Sequence, residues 1–160
     1  MNTKSFSLAH ETLIGIDPGN DGGVAVMQDG AVWTFCLAQL TDQDLFRELA
    51  QLEPATVYLE KVGPTPQMGV TSAFTFGRNY RAVRMACVAA GLRLIDVTPQ
   101  RWQSVLRLKK IAGGIGKNDT AKKNRNKAKA QELYPQLKIT HAIADALLIL
   151  EFGRMLQRQG

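Results

Sequence analysis

The sequence predicts an α/β domain: a mixed, five-stranded sheet flanked by helices. Three observations lead there. Three short apolar, β-rich runs stand in series near the start of the chain, two more follow at Thr56–Glu60 and Arg93–Val97, each behind a helical pattern, and the remainder reads as helix. Three strands in series, then a helix, a strand, a helix, a strand and more helices give a mixed sheet covered by helices.

After a polar start of about ten residues, LIGID (Leu13–Asp17) is a short buried strand ending in an acid and a Pro-Gly turn. GGVAVM and AVWTFC flank Gln28, Asp29 and Gly30, and two apolar runs around a D-G pair predict a hairpin. Thr41 or Asp42 caps a helix through about Leu52, in which Leu45, Phe46, Leu49 and Leu52 recur at helical spacing. TVYLE is the fourth strand, again ending in an acid. Gly63, Pro64, Pro66 and Gly69 make Lys61–Val70 a loop, and Ser72–Ala90 reads as a long helix stopped by Gly91. RLIDV is the fifth strand. Thr98 and Pro99 then start a short helix carrying Trp102, Val105 and Leu106. Between Arg107 and Lys129 there are 9 basic residues and one acid, with Gly113, Gly114 and Gly116 among them, which predicts a mobile basic loop running into a helix from about Asp119. Tyr134 and Pro135 break that helix, and His141 to about Gln157 forms the last one.

A chain of 160 residues with 45% hydrophobic content fits one domain, and no repeat or Pro-rich linker marks a second. No stretch approaches the roughly 18 consecutive apolar residues of a membrane span, and MNTKSFSLAHETL lacks the apolar run of a secretory signal, so a soluble, cytoplasmic protein without membrane contact is expected. Cys36 and Cys87 form no C-x-x-C or Cys/His cluster; both read as buried small apolar residues rather than zinc ligands or a disulfide. Charge is uneven. Met1–Gly77 holds 3 basic and 9 acidic residues, a net of −6, and Arg78–Gly160 holds 17 and 5, a net of +12. Such asymmetry points to a polyanionic partner, with nucleic acid the leading one.

Three acids stand out. Asp17 and Glu60 each end a strand, and sites in open α/β sheets gather at strand C-termini, so the two converge if their strands are neighbours. Asp145 lies in HAIADALLIL with apolar residues on both sides, where an ionised carboxylate costs several kcal/mol unless paired or metal-bound. His141, one turn earlier, projects from the same face. Taken singly, Asp17 before Pro-Gly can be a turn former, Glu60 can face water and His141 can be a surface histidine. Together, two or three carboxylates in a basic protein suit Mg²⁺ or Mn²⁺, and two such ions about 4 Å apart can activate water and stabilise the leaving oxygen in phosphodiester cleavage.

From about Leu13 to Leu156 the chain resembles the RuvC-type Holliday junction resolvases of the RNase H-like superfamily. IDPGNDGG resembles the family's I-D-P-G start, whose Asp is a metal ligand. YLEKV resembles the strand carrying the catalytic Glu, and ADALLILEFGRM resembles the final helix, where the Asp of A-D-A-L completes the site. TPQRWQSVL and GIGKNDTAKKNRNKAKAQELYP look most like phage and prophage members. The resemblance implies Asp17, Glu60 and Asp145 as metal ligands with His141 as a fourth; where many bacterial members carry an acid or His three residues before the final Asp, this chain has Ala142. The family's catalytic lysines correspond to Lys109 or Lys110 and to Lys122 or Lys123, of which Lys122 is taken as the catalytic candidate. The aromatic that bacterial members place after the Glu strand is Gly63 here, leaving Met68 or Phe74 as candidate wedges.

These readings converge on a metal-dependent endonuclease with an RNase H-like core and two Mg²⁺ or Mn²⁺ ions, cutting four-way junctions or other branched DNA without a covalent intermediate. Arg107, Lys109, Lys110, Lys117, Lys122, Lys123, Arg125, Lys127 and Lys129 are the expected DNA contacts. The family works as a two-fold dimer, and the Ser72–Ala90 helix resembles its pairing helix, although its apolar positions could equally be core. Three other readings are kept: a general debranching or flap nuclease, a catalytically inactive DNA-binding module, and an ATP-binding phosphotransferase in which D-P-G-x-x-G-G cradles phosphate.

Overall fold

A computed structural model describes residues 11–64, 66–112 and 119–159 of the chain. Its strands are β1 (Thr12–Ile16), β2 (Gly23–Gln28), β3 (Ala31–Cys36), β4 (Ala55–Glu60) and β5 (Arg93–Val97). Its helices are α1 (Asp42–Ala50), α2 (Val70–Ala89), α3 (Pro99–Val105), α4 (Asp119–Leu133) and α5 (His141–Gln157). Residues Gly113, Gly114, Gly116 and Lys117 of the expected basic loop lie outside the described residues.

Local chemistry accounts for the boundaries. Asp29 and Gly30 both have positive φ, 50° and 82°, as a two-residue hairpin turn matched to strand twist requires. Thr41, not Asp42, caps α1: its hydroxyl accepts from the Asp44 N–H at 3.1 Å while the Asp44 carboxylate accepts from the Thr41 N–H. Helix α2 starts two residues before the expected Ser72, because Gly69 in an extended conformation serves as its cap.

The sheet runs β3-β2-β1-β4-β5. The hairpin strands β1, β2 and β3 pair antiparallel, and the strands reached through helices pair parallel, β4 with β1 and β5 with β4. Alternation sorts side chains to two cores. Ile14, Ile16, Val24, Val26, Val57 and Leu59 face α1 and α2, whereas Leu13, Ala25 and Tyr58 face α5 with α3 and α4. Helix α5 lies across β1 and β2 and is buried along most of its length.

One glycine sets how closely α5 approaches. A Cβ at Gly15 would stand 2.4 Å from both the Ala146 carbonyl oxygen and the Leu150 nitrogen, so no other residue lets the helix backbone rest on β1 here. Further along the helix, Tyr58 meets Phe152 edge-on with ring centroids 6.0 Å apart, which fixes α5 against β4 as well.

Candidate active site

β1 and β4 are parallel neighbours with Ile16 opposite Leu59, so the next residues, Asp17 and Glu60, stand side by side at the C-terminal edge of the sheet. Alternation turns both toward α5: Asp17 follows Gly15 by two residues and Glu60 follows Tyr58 by two. The Asp17 N–H still donates to the Gly23 carbonyl at 3.1 Å, and its Oδ1 accepts from the Gly19 N–H at 3.0 Å, which locks the turn that carries it. Asp145 lies in the second turn of α5, directly before the residue whose carbonyl rests on Gly15. The helix that Gly15 admits thus brings the third carboxylate to the first two.

Electrostatics show the three groups acting on one another. Burial raises the Asp17 carboxyl to about 6, with Asp145 and Asp21 adding repulsion against the opposing Gly19 N–H and Lys123. Glu60 is only 7% exposed; burial first, then repulsion from Asp17 and Asp145, raises it to about 8 against the hydrogen bond from the Trp102 indole N–H, 2.8 Å from Oε1, which works the other way. Burial raises Asp145 too, offset by the Asn126 amide, which donates to its Oδ1 at 2.8 Å, and by Arg125, Lys123 and His141. The ion pairs among the described residues involve none of these three carboxylates. Among the described residues, no group of three or more His, Cys, Asp and Glu side chains is arranged as a preformed metal cage. The fit to a divalent cation is therefore one of donor type and charge: hard oxygen donors, mutually repelling, in a place where added positive charge relieves all three.

A cleft of about 320 Å³ opens at this cluster, lined by Asp17, Asp21, Met68, Lys123, His141 and Asp145 among others; the buried Glu60 is not among its lining residues. His141 is exposed, and its Nε2 is 3.0 Å from Asn124 Oδ1. Of the two candidate wedges, Met68 lines the cleft, whereas Phe74 projects from α2, 72% exposed.

The basic residues divide. Lys123, not Lys122, faces the carboxylates; Lys122 lines a neighbouring groove with Arg107, Lys110 and Arg125, one residue being about 100° around the helix. Lys129 is paired with Glu132 at 2.7 Å, and Arg125 is spent on internal hydrogen bonds. Cys87 is buried, its thiol pushed up to about 12 by desolvation, but Cys36 is half-buried rather than buried.

Trp102 and Asn126 were not candidates on sequence. A fully buried Trp needs a partner for its indole N–H, and Asn126 shares a face with Ala130 and Tyr134 at four-residue spacing on an otherwise charged helix. Both signals are legible in retrospect, but neither names its partner.

No family model matches the chain, and no curated protein matches its sequence. Solved structures do. RuvC of T. thermophilus in complex with a Holliday junction substrate aligns over 94% of this chain and 97% of that one, with a TM-score of 0.62 at 18% identity. Thermus thermophilus RuvC aligns over 93% and 96%, with a TM-score of 0.60 at 20% identity. The fold is that of RuvC. The alignments span nearly the whole length of both chains. Both neighbours come from Thermus, so the expected closeness to phage and prophage members draws no support from them.

Proposed function

We propose that this protein is a RuvC-type, divalent-metal-dependent endonuclease that cuts four-way junctions or other branched DNA by hydrolysing phosphodiester bonds. The observation that carries this reading is the meeting of Asp17, Glu60 and Asp145, from two strands and one helix, in a partly buried cluster beside a basic helix. Its RuvC fold and the +12 net charge of residues 78–160 point the same way.

Asp17, Glu60 and Asp145 would hold Mg²⁺ or Mn²⁺, with His141 at the rim of the cleft as a further ligand. Bound ions would supply an activated water and charge neutralisation at the leaving oxygen. The protein's own residues do the rest. Trp102 holds Glu60 and Asn126 holds Asp145, each by one hydrogen bond at 2.8 Å, and Gly19 holds Asp17. Lys123, which lines the cleft, would meet a phosphate entering it and stabilise charge growing on it. Arg107, Lys110 and Lys122 border the neighbouring groove, where a second DNA segment of a branched substrate would lie.

Cutting two strands of a junction symmetrically needs two such sites, and the exposed Val70, Phe74, Met85 and Val88 on α2 support pairing into a homodimer. Among the described residues no helix is long and apolar enough to cross a membrane.

The test is cleavage of a synthetic four-way junction with Mg²⁺ or Mn²⁺, alongside Asp17→Asn and Asp145→Asn. Each substitution is expected to lower cleavage by at least about a hundredfold; full activity in either removes the assignment. A second reading, a general debranching or flap nuclease, is favoured by Gly63 standing where an aromatic would contact the crossover. Equal rates on four-way, three-way and flap substrates would select it.

A further inference from the structure

Arg125 sits among the lysines of α4, yet its guanidinium is turned inward. Nε and Nη2 both donate to Asn126 Oδ1, at 2.9 and 2.7 Å. Nη1 donates to the Lys109 carbonyl at 2.7 Å, and Nη2 reaches Gln103 Oε1 at 3.4 Å. Four of its five N–H groups are thereby used within the protein.

Arginine has donors only, so the Asn126 oxygen must face it, and the amide is left with one orientation. Its NH₂ end then points at Asp145, where Nδ2 donates to Oδ1 at 2.8 Å. Asn126 is 5% exposed, so no solvent competes for this amide, and a swing of the side chain would strand both ends. The series runs from the basic segment after α3, through Arg125 and Asn126, to the carboxylate.

We propose that Arg125 and Asn126 are positioning residues: a hydrogen-bonded relay that holds Asp145 in its orientation and ties it to the segment at Lys109. Arg125 is therefore not one of the phosphate contacts, despite its place in the basic run. The relay rests on the nuclease reading for its purpose but not for its existence, and the two are separable by experiment.

The probe is Arg125→Lys, which keeps the charge and removes the fork. In the metal-free, DNA-free protein, the Asn126 side-chain amide resonances in ¹⁵N NMR are expected to move. Mn²⁺ affinity, measured calorimetrically, and cleavage are expected to fall by about 10- to 100-fold, while junction affinity in EDTA stays within about twofold because the charge is retained. Unchanged Asn126 resonances and Mn²⁺ affinity, with junction binding in EDTA weakened well beyond twofold by loss of the guanidinium fork, would make Arg125 an ordinary phosphate contact and overturn the relay. If Arg125→Lys is unfolded by circular dichroism, Asn126→Ser takes its place: it spares the Arg125 contacts to Lys109 and Gln103 and must show the same loss of Mn²⁺ affinity. A native protein that neither binds Mn²⁺ nor cuts would sink the nuclease reading and the positioning role with it, while the Asn126 resonances would still report whether the contacts exist.

Discussion

Glu60 shows what a single residue contributes and costs. It is buried and faced by two other carboxyls, which the single hydrogen bond from the Trp102 indole does not offset, so its ionised form is disfavoured without a cation. Asp17, raised to about 6, and Glu60, raised to about 8, bind protons more tightly in the folded chain than in the unfolded one. Their stabilising contribution is thus present in full below about pH 4 and is lost as pH rises through 6 and then 8. In EDTA, Tm at pH 5 should exceed Tm at pH 8, and Mn²⁺ should raise Tm more at pH 8; a flat pH profile in EDTA would contradict the burial of these acids. Glu60→Gln should likewise raise cation-free stability at pH 7.5, by about 1 to 3 kcal/mol, while abolishing cleavage. Denaturant melts check the first part and the junction assay the second. Glu151, six residues after Asp145 on the same apolar helix and 5% exposed, marks the contrast. Arg154 donates to both its oxygens, at 2.7 and 2.5 Å, and Tyr134 donates at 3.0 Å, so it is compensated within the protein. An acid among apolar residues announces that something must balance it, not what does.

At the scale of elements, the site depends on how closely α5 lies on β1. Gly15→Ala would put a methyl 2.4 Å from helix backbone, and backbone cannot yield as a flexible side chain can. It should cost about 3 kcal/mol or more and lower Mn²⁺ affinity, as Asp145 is carried away from Asp17; unchanged urea midpoint and metal affinity would show that α5 is not seated this way. The elements were largely legible: period-2 runs, a D-G turn, Thr41, Pro99 and Gly91 all mark boundaries through local chemistry. The pairing of β1 with β4 was not, because register between strands forty residues apart is decided by packing on both faces. That Lys123 rather than Lys122 faces the carboxylates turns on the rotation of α4 about its axis, set by burial of Asn126 and Ala130.

For the molecule as a whole, charge is divided along the chain, −6 before Arg78 and +12 after it. With Arg107, Lys110 and Lys122 lining the groove and Lys123 the cleft, junction affinity should fall steeply with salt, at a log–log slope of about −4 or steeper. A slope near −1 in filter binding would remove the groove from the DNA path. Light scattering should return twice the 17.6 kDa chain mass, and Val88→Glu, on a half-exposed apolar position of α2, should shift it toward monomer. A mass that stays that of one chain, with and without DNA, rules out pairing.

Sequence by itself determined the type and order of the elements, the charge asymmetry and the three carboxylates worth watching, because capping, turn chemistry, periodicity and composition act over a few residues. The tertiary structure alone decided which strand neighbours which, that Gly15 lets Asp145 reach the sheet edge, that Trp102 and Asn126 hold the acids, and that Glu151 is neutralised from within. Those outcomes rest on contacts between residues remote along the chain, where each partner is chosen by the packing of everything around it.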